Sequence, residues 1–466
     1  MSGLESALSL LRQFFPPDLS PSYLKAALVP VFETLEMAAG AMFLALTIGL
    51  IISLIIGARL PGSRALYLLL TSVRSIPDLT LAILCVVLVG LGPAAGTLAL
   101  TLFYTAALGK IFADLFSSAD PRPIEALHAT GATRGMVALY GLLPLRLKDL
   151  LTYGGYEFES AIRASVIIGA VGAGGIGTEL VGTLNMTDYH RATTLIIMLV
   201  LLIAAVDLIV WCLRKQPRLL LLLAAFGAVA AWDHRPHLIA ITHAVKTFST
   251  MLPPQLPPEA LRQVPALIGE TLLIAFGGTV LAMTCALPLA VAAARNISSP
   301  FISFPVRRLL ETLRAIPEVV WALLLVGIAG LGPRVGILAL GLHSIGSLGK
   351  LYAESIENVP PEPVVALAST GGSTLSVTGF ALLPLAFAPM TVHTLFRLEW
   401  NMRAASIVGM IGAGGIGGAL FNAQQLFFYQ QMMAYVLITW ALIMLTDAVN
   451  TRLRRRWRVI EEQHMC

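Results

Sequence analysis

Charge is what this chain has least of. Only 12% of its 466 residues are Asp, Glu, Lys or Arg, whereas a soluble globular chain carries about a quarter. Water is therefore not its main solvent. Cysteine is nearly absent: Cys85, Cys212, Cys285 and Cys466 stand far apart, three of them in apolar runs and one at the end of the chain. That excludes a disulfide framework and a cysteine-based metal site. The eight histidines show no metal-ligand spacing, and His343 and His393, in apolar stretches, read as packed core. The net charge of +5 is no nucleic-acid footprint, because the basic residues sit in short clusters between apolar stretches. The N-terminus lacks a basic region followed by an apolar run and a small-residue site, so no cleavable signal is expected.

A phosphate-binding loop is missing too. Gly349-Lys350 has neither the upstream glycine nor the following Ser/Thr that such a loop needs. Gly172-Ala-Gly-Gly-Ile-Gly177 satisfies a dinucleotide pattern formally. That pattern works only between a strand and a helix, and here the preceding segment reads as a membrane helix. These glycines instead permit a tight turn or re-entrant backbone. We expect no cofactor, no metal and no catalytic group on this chain; any ATP must be hydrolysed by another one.

Apolar residues make up 57% of the sequence, in stretches that match the roughly 20 residues needed to cross a bilayer. Backbone groups in lipid must be bonded internally, so these stretches are helices and the chain is an all-α, polytopic membrane protein. A repeat organises them. Arg74-Ser-Ile-Pro77 returns as Arg314-Ala-Ile-Pro317, Gly90-Leu-Gly-Pro93 as Gly330-Leu-Gly-Pro333, Leu108-Gly-Lys110 as Leu348-Gly-Lys350, the GAGGIG run as Gly412–Gly417, and Asp207 as Asp447, always 240 residues later. Upstream, Glu33-Thr-Leu35 returns as Glu270-Thr-Leu272 and Phe15-Pro-Pro-Asp-Leu19 as Leu252-Pro-Pro-Gln-Leu256, so a small insertion shifts the register there. Chance similarity of apolar segments would not hold register over so long a stretch.

Spans are expected near 31–58, 65–90, 94–117, 146–171 and 192–212, and again near 268–294, 308–330, 334–356, 386–411 and 431–449. Arg74 and Pro77 interrupt the second of these, predicting a kink. Five spans per half is odd, so the short apolar run 219–232 is needed to make the two halves parallel, giving about eleven spans. The organisation is then residues 1–213, a linker 214–266 with the extra helix, and residues 267–466. Arg59, Arg64, Arg122, Arg134, Arg146, Lys148, Arg214, Lys215, Arg218, Arg295, Arg307, Arg308 and the tail from Arg452 to Arg458 fall on one side, which is cytoplasmic by charge. The N-terminus, the proline-rich stretch 234–266 and both GAGGIG turns then face outward.

Between the third and fourth spans lies Glu125-Ala-Leu-His-Ala-Thr-Gly131, then nine residues, then Gly141-Leu-Leu143-Pro144. Helix-forming residues followed by Gly131, which can end a helix in the left-handed conformation, read as a short helix, and Pro144 reads as the restart of the chain into the next span. A pair of short helices would offer a compact knob to a cytoplasmic partner. The segment resembles the "EAA" loop of ABC importer permeases: Glu125, Ala126, Gly131, Leu143 and Pro144 match, while Leu127 and Gly141 depart. In the second half Ala366, Gly371, Leu383 and Pro384 match, and Val365 replaces the glutamate. With the RSIP, GLGP, LGK and GAGGIG motifs, the chain resembles two fused copies of a phosphonate-type ABC importer permease with a MetI-like five-helix core, the run 219–232 supplying the opening span of the second. The resemblance implies an ABC ATPase dimer docking on the two knobs, a periplasmic or extracellular solute-binding protein, a bacterial inner membrane as the location, surrounding lipid, and a phosphonate or related oxyanion as the solute.

Charges inside spans are costly and are usually paired or functional. Glu159/Arg163 and Glu399/Arg403 are spaced to share a helix face, and Glu157 is replaced by Arg397 in the repeat. With Gly174 and Gly414 of the glycine turns, these pairs are candidates for the translocation pathway, where a guanidinium suits an oxyanion; they serve equally well as structural pairs. Lys110/Asp114 and Lys350/Glu354 read as structural pairs. An ion-gradient-driven transporter with parallel repeats stays open, as does a membrane-embedded enzyme, although no cluster of catalytic groups is visible.

Overall fold

The computed structural model describes residues 13–215, 219–235 and 238–464, and every regular element in them is helical. Cys466 and Arg218 lie outside the described residues, as do the side chains of Asp207, Arg214, Lys215, Arg454, Arg455, Arg456 and Arg458. The chain divides into two compact units between Pro253 and Pro254.

The first unit runs α1 (Pro21–Gly57), α2 (Ser63–Arg74), α3 (Asp78–Val89), α4 (Pro93–Ser117), α5 (Pro121–Ala129), α6 (Arg134–Val137), a π turn over Ala138–Leu142, α7 (Leu143–Gly169), α8 (Gly175–Asn185) and α9 (Tyr189–Lys215), followed by α10 (Leu219–Asp233) and α11 (Leu238–Thr250). The second repeats the first nine helices in order: α12 (Pro258–Ala293), α13 (Pro300–Ala315), α14 (Glu318–Ala329), α15 (Pro333–Glu357), α16 (Pro361–Ser369), α17 (Thr374–Val377), a π turn over Thr378–Leu382, α18 (Leu383–Val408), a third π turn over Gly409–Ala413, α19 (Gly415–Gln425) and α20 (Tyr429–His464).

Each core forms where the first long helix meets the fourth. Lipid offers no hydrophobic drive between helices, so close approach of small residues has to supply the attraction. Ala38, Ala41 and Ala45 of α1 are fully buried, and a Cβ added at Gly49 would lie 3.2 Å from the backbone nitrogen of Gly109 on α4. In the second unit Ala282, Ala286 and Ala290 of α12 are buried in the same way against α15. Large apolar side chains such as Ile51 and Phe276 stay exposed, as lipid-facing groups do.

Eleven spans are expected from the sequence; among the described residues seven helices are long and apolar enough, eight if the bent pair α2–α3 counts as one. The three shortfalls have local causes. Helix α7 has the length, but its apolar half still carries Glu157, Glu159 and Arg163. Helix α10 is only 15 residues long. The span expected over 308–330 is broken into α13 and α14 by extended backbone at Ile316 and Pro317. The kink expected at Arg74–Pro77 is a bend of 92° between α2 and α3.

Two further expectations need correction. Pro144 and Pro384 do not restart the chain: each lies one residue into a helix that is already running, and in the second unit the helical backbone continues from Thr374 until Gly412 leaves it at φ +118°. A proline breaks the i→i−4 ladder. Here the π turn absorbs the break, because the Leu143 N–H donates back to Ala138 O and the Leu383 N–H to Thr378 O, five residues earlier. The other correction concerns α10, which packs on α1 of the first unit. A Cβ at Gly227 would lie 2.7 Å from Ala39 O, and one at Gly40 would lie 2.9 Å from Ala231 N. His234, just past α10, meets Thr97 Oγ1 at 3.1 Å and Glu36 at 3.7 Å. Small residues, which hydropathy does not register as a matching pair of faces, decide where this helix goes.

Candidate functional site

The knob is built as its residues require. Asp120 caps α5 by accepting the Arg122 N–H at 3.0 Å, and Pro121 stands at the first helical position. Gly131 ends the turn at φ +83°, the left-handed conformation expected of it, and Gly371 repeats this at +85°. Thr133 and Ser373 then cap α6 and α17. No residue of α5 or α16 is buried, so Glu125 and Ala126 in the first unit, and Val365 and Ala366 in the second, present themselves to whatever lies beyond. Leu127 covers Gly141: its Cδ1 lies 2.8 Å from where a Cβ on Gly141 would be. The two departures from the loop pattern therefore fit each other. Leu143 and Pro144, like Leu383 and Pro384, carry the knob directly into the long helix behind it.

Polar ties anchor the base of each knob. In the first unit Arg134 donates to Arg59 O at 3.3 Å, and Arg146 donates to Ser118 O and pairs with Asp149 at 3.0 Å. In the second, Glu357 accepts from Arg307 at 2.5 Å and from the Arg295 N–H at 2.6 Å. Different residues do the same work in the two copies.

The expected intramembrane pairs form. Arg163 meets Glu159 at 2.5 Å, and Arg403 meets Glu399 at 2.9 Å and also Asp447 at 2.8 Å. Lys350 and Glu354 stand 3.8 Å apart; in the first unit Asp114 accepts from Tyr67 OH at 3.1 Å and Lys110 lies over the Tyr67 ring. Arg397 donates to Ser344 Oγ at 2.7 Å, which donates to Asn401 Oδ1 at 3.0 Å, whose amide donates to Thr279 at 2.9 Å. This chain is confined to the second copy, since Glu157, Tyr104, Ala161 and Met42 occupy the matching places in the first. His343 is core, with Nδ1 3.0 Å from Ile316 O. Among the described residues no group of His, Cys, Asp and Glu could hold a metal.

The glycine turns have partners that the motif alone did not reveal. Gly174 and Gly175 take positive φ values and open α8. The first free amides of that helix are received by α1: Glu33 Oε2 accepts the Gly175 N–H at 2.8 Å and Thr34 Oγ1 accepts the Ile176 N–H at 2.8 Å. Glu270 and Thr271 do the same for Gly415 at 2.8 Å and Ile416 at 3.0 Å, beside Gly414. A carboxylate at a helix N-terminus satisfies orphan donors and faces the positive end of the dipole. The repeated Glu-Thr-Leu was the available signal, but nothing local says that its carboxylate caps a helix 142 residues away. Gly92 and Gly332 complete each turn by donating to Gly172 O at 3.0 Å and Gly412 O at 2.9 Å.

Two copies of one helical membrane unit, each presenting an exposed short helix beside a long one, define a duplicated membrane transport subunit. The chain belongs to the family of binding-protein-dependent transport system inner membrane components, whose model matches residues 45–216 and again 286–459. It is 29% identical to the phosphate-import permease protein PhnE of Mycolicibacterium smegmatis over 485 aligned residues, 98% of this chain and 90% of that one. The phosphite transport system permease protein PtxC of Stutzerimonas stutzeri is 37% identical over 190 residues, 41% of this chain and 69% of its own length. The solved structure of the inward-facing MetNI methionine ABC transporter is similar at a TM-score of 0.40 and 15% identity, covering 43% of this chain and 99% of that one. This protein is thus an inner-membrane permease of the ABC importer class, with two permease copies fused in one chain. The ion-gradient carrier and the membrane enzyme are set aside.

Proposed function

We propose that this permease carries a small phosphorus oxyanion, delivered by a solute-binding protein on the outer side, through a pathway opened by an ABC ATPase dimer docked on α5 and α16. The chain itself binds no cofactor; ATP is consumed by the partner. The observation that carries this reading is the pair of knobs. The first helix of each has no buried residue, its left-handed glycine is kept, and the second helix runs through a π turn into the long helix behind it, so a push on the knob travels along a stiff element. The names of the relatives, phosphate and phosphite permeases, support the solute class. The basic clusters support a cytoplasmic position for the knobs.

In this reading the boundaries 1–213, 214–266 and 267–466 describe the order of the repeats along the chain, and α10 joins the first copy in packing. Glu159, Arg163, Glu399, Arg403, Gly174 and Gly414 remain the pathway candidates. Both arginines already hold carboxylates of their own unit, which favours bracing the helices around a pathway over gripping the solute. The test is reconstitution of the chain with its ATPase and binding protein in vesicles, following uptake of radiolabelled phosphate, phosphite and methylphosphonate. ATP-dependent uptake of at least one that collapses on changing Glu125 and Gly131 is the expected result; uptake that proceeds without the ATPase would overturn it.

A further inference from the structure

Two turns at matching places display different chemistry. Helix α19 ends in a turn closed by the Phe427 N–H, which donates to Gln424 O at 3.0 Å, and the Phe428 N–H, which donates to Ala423 O at 2.8 Å. Helix α8 ends the same way: the Thr187 N–H donates to Leu184 O at 3.0 Å and the Asp188 N–H to Thr183 O at 2.9 Å. Such a turn needs one left-handed residue, usually glycine. Here Thr187 and Phe427 take that place, both at φ +59°. The backbone is shared, and only what it displays has changed.

In the first copy the tip is charged. Glu179, Asp188, His190 and Arg191 lie in it or beside it. Arg191 pairs with Asp188 and with Asp18, each at 3.4 Å. The second copy has Ala419, Phe428, Gln430 and Gln431 at those four places, by the 240-residue offset. No Asp, Glu, Lys, Arg or His stands anywhere between Arg403 and Asp447. The tip itself is Leu426-Phe427-Phe428, all exposed, Phe427 by 71%. The Phe427 ring lies edge-on to Tyr429 at 6.2 Å, and Phe428 and Gln431 stand on the wall of an open cleft. Contiguous large apolar groups held out in this way mark an interaction surface.

Length says what lies against it. The apolar part of α20, Tyr429–Leu453, has 25 residues, about 37 Å of helix. The hydrocarbon core is about 30 Å thick, and about 40–45 Å with both headgroup layers. With the basic tail that begins at Arg452 at one surface, Tyr429 and the tip before it reach the headgroup layer of the other. Aromatic side chains concentrate at that depth, and charged ones are costly below it. The lipid-facing side chains of α20, Leu437 and Leu445 among them, run up to the tip, so it continues an existing contact with lipid.

We infer that the tip at 426–428 is inserted into the bilayer surface. Its partner is the lipid of the leaflet opposite the basic tail, while the matching tip at 186–188 stays in water. Helix α19 joins the inserted tip to the Gly414–Gly415 turn, so the glycine turn of the second copy is tethered to the bilayer. The inference rests on the membrane location of the chain and on neither the solute nor the ATPase.

The test places benzoylphenylalanine, a photocrosslinker close in shape to phenylalanine, at position 427 or at position 187 of the full chain in nanodiscs of phosphatidylethanolamine and phosphatidylglycerol. After irradiation and digestion, mass spectrometry should find lipid adducts on the peptide that carries 427 and not on the one that carries 187. A second measurement needs no crosslinker. In Phe427→Trp the added emission should be mostly lost in lipid brominated near the top of its acyl chains and little affected by aqueous iodide; Thr187→Trp should show the reverse. No lipid adduct at 427, equal adducts at both positions, or iodide quenching at 427 overturns the inference and leaves the proposed function standing. With the transporter's solute-binding protein added, an adduct at 427 to that protein in place of lipid assigns the tip to protein docking. An adduct to a second copy of the chain assigns it to self-association; either overturns the inference.

Discussion

Leu127 lies directly over Gly141, with its Cδ1 2.8 Å from the position a Cβ would take there. The leucine fills the space that a side chain on residue 141 would otherwise occupy. Gly141→Ile should therefore overpack the knob and destabilise it by about 1–3 kcal/mol. Leu127→Ala with Gly141→Ile should recover most of that. A double-mutant cycle on thermal unfolding and on coupled ATPase rate checks this, and additive losses would show that the two side chains do not share the space.

The cap given by α1 to the glycine turn should be measurable as stability. Glu33→Ala or Glu270→Ala should each lower stability by about 1 kcal/mol. Glu33→Gln, which keeps the acceptor and loses the charge, should lower it by about 0.3–1 kcal/mol. The two caps belong to separate units and share no partner, so their effects should add. Melting curves in detergent read this directly.

Unequal knobs predict unequal coupling. Glu125 can accept a hydrogen bond or pair with a cation of the ATPase; Val365, 60% exposed, can do neither. At equal expression Glu125→Ala should reduce ATP-driven uptake severalfold, by about 1–2 kcal/mol in the coupling contact, and Val365→Ala should change it little. Similar losses in both variants would remove the asymmetry.

Arg403 holds two carboxylates and Arg163 one in these structures of the fourth span. Breaking a buried ion pair by removing one partner leaves uncompensated charge. Arg403→Gln should therefore destabilise by about 3 kcal/mol, and Arg163→Gln by less. If either arginine instead grips the solute, its variant should raise the KM for uptake at unchanged melting temperature, so paired measurements separate bracing from binding.

Local chemistry made much of this molecule legible. The duplication, the left-handed glycines at 131 and 371, the break at Arg74–Pro77 and the i,i+4 ion pairs each follow from residues close together in the chain. What escaped depends on residues brought together by packing. Hydropathy sees α10 as an apolar run, but Gly227 against Ala39 and Gly40 against Ala231 decide that it lies on α1. Pro144 reads as a helix start until the π turn before it is known. Glu33 reads as one charge near a span, because the amides it receives come from a turn far along the chain. Asp447 joins Arg403 only because α20 lies against α18. Span counting comes up short at α13–α14 for a different reason: α13 carries Arg307, Arg308, Glu311 and Arg314, and the backbone at Ile316 and Pro317 divides it from the apolar α14.

Arg191 and Gln431 occupy matching places, the first paired with Asp18 and Asp188, the second among Gln263, Asn422 and Phe428 on the wall of an open cleft. A permease assembled from two identical chains would have to carry any such change on both sides at once. Joining the copies end to end lets one keep an ion-paired corner while the other replaces it with neutral side chains, so this gene could specialise its two copies separately. That freedom belongs to the fusion itself, and it should show as faster sequence drift between the halves at this corner than along the helices that form their cores.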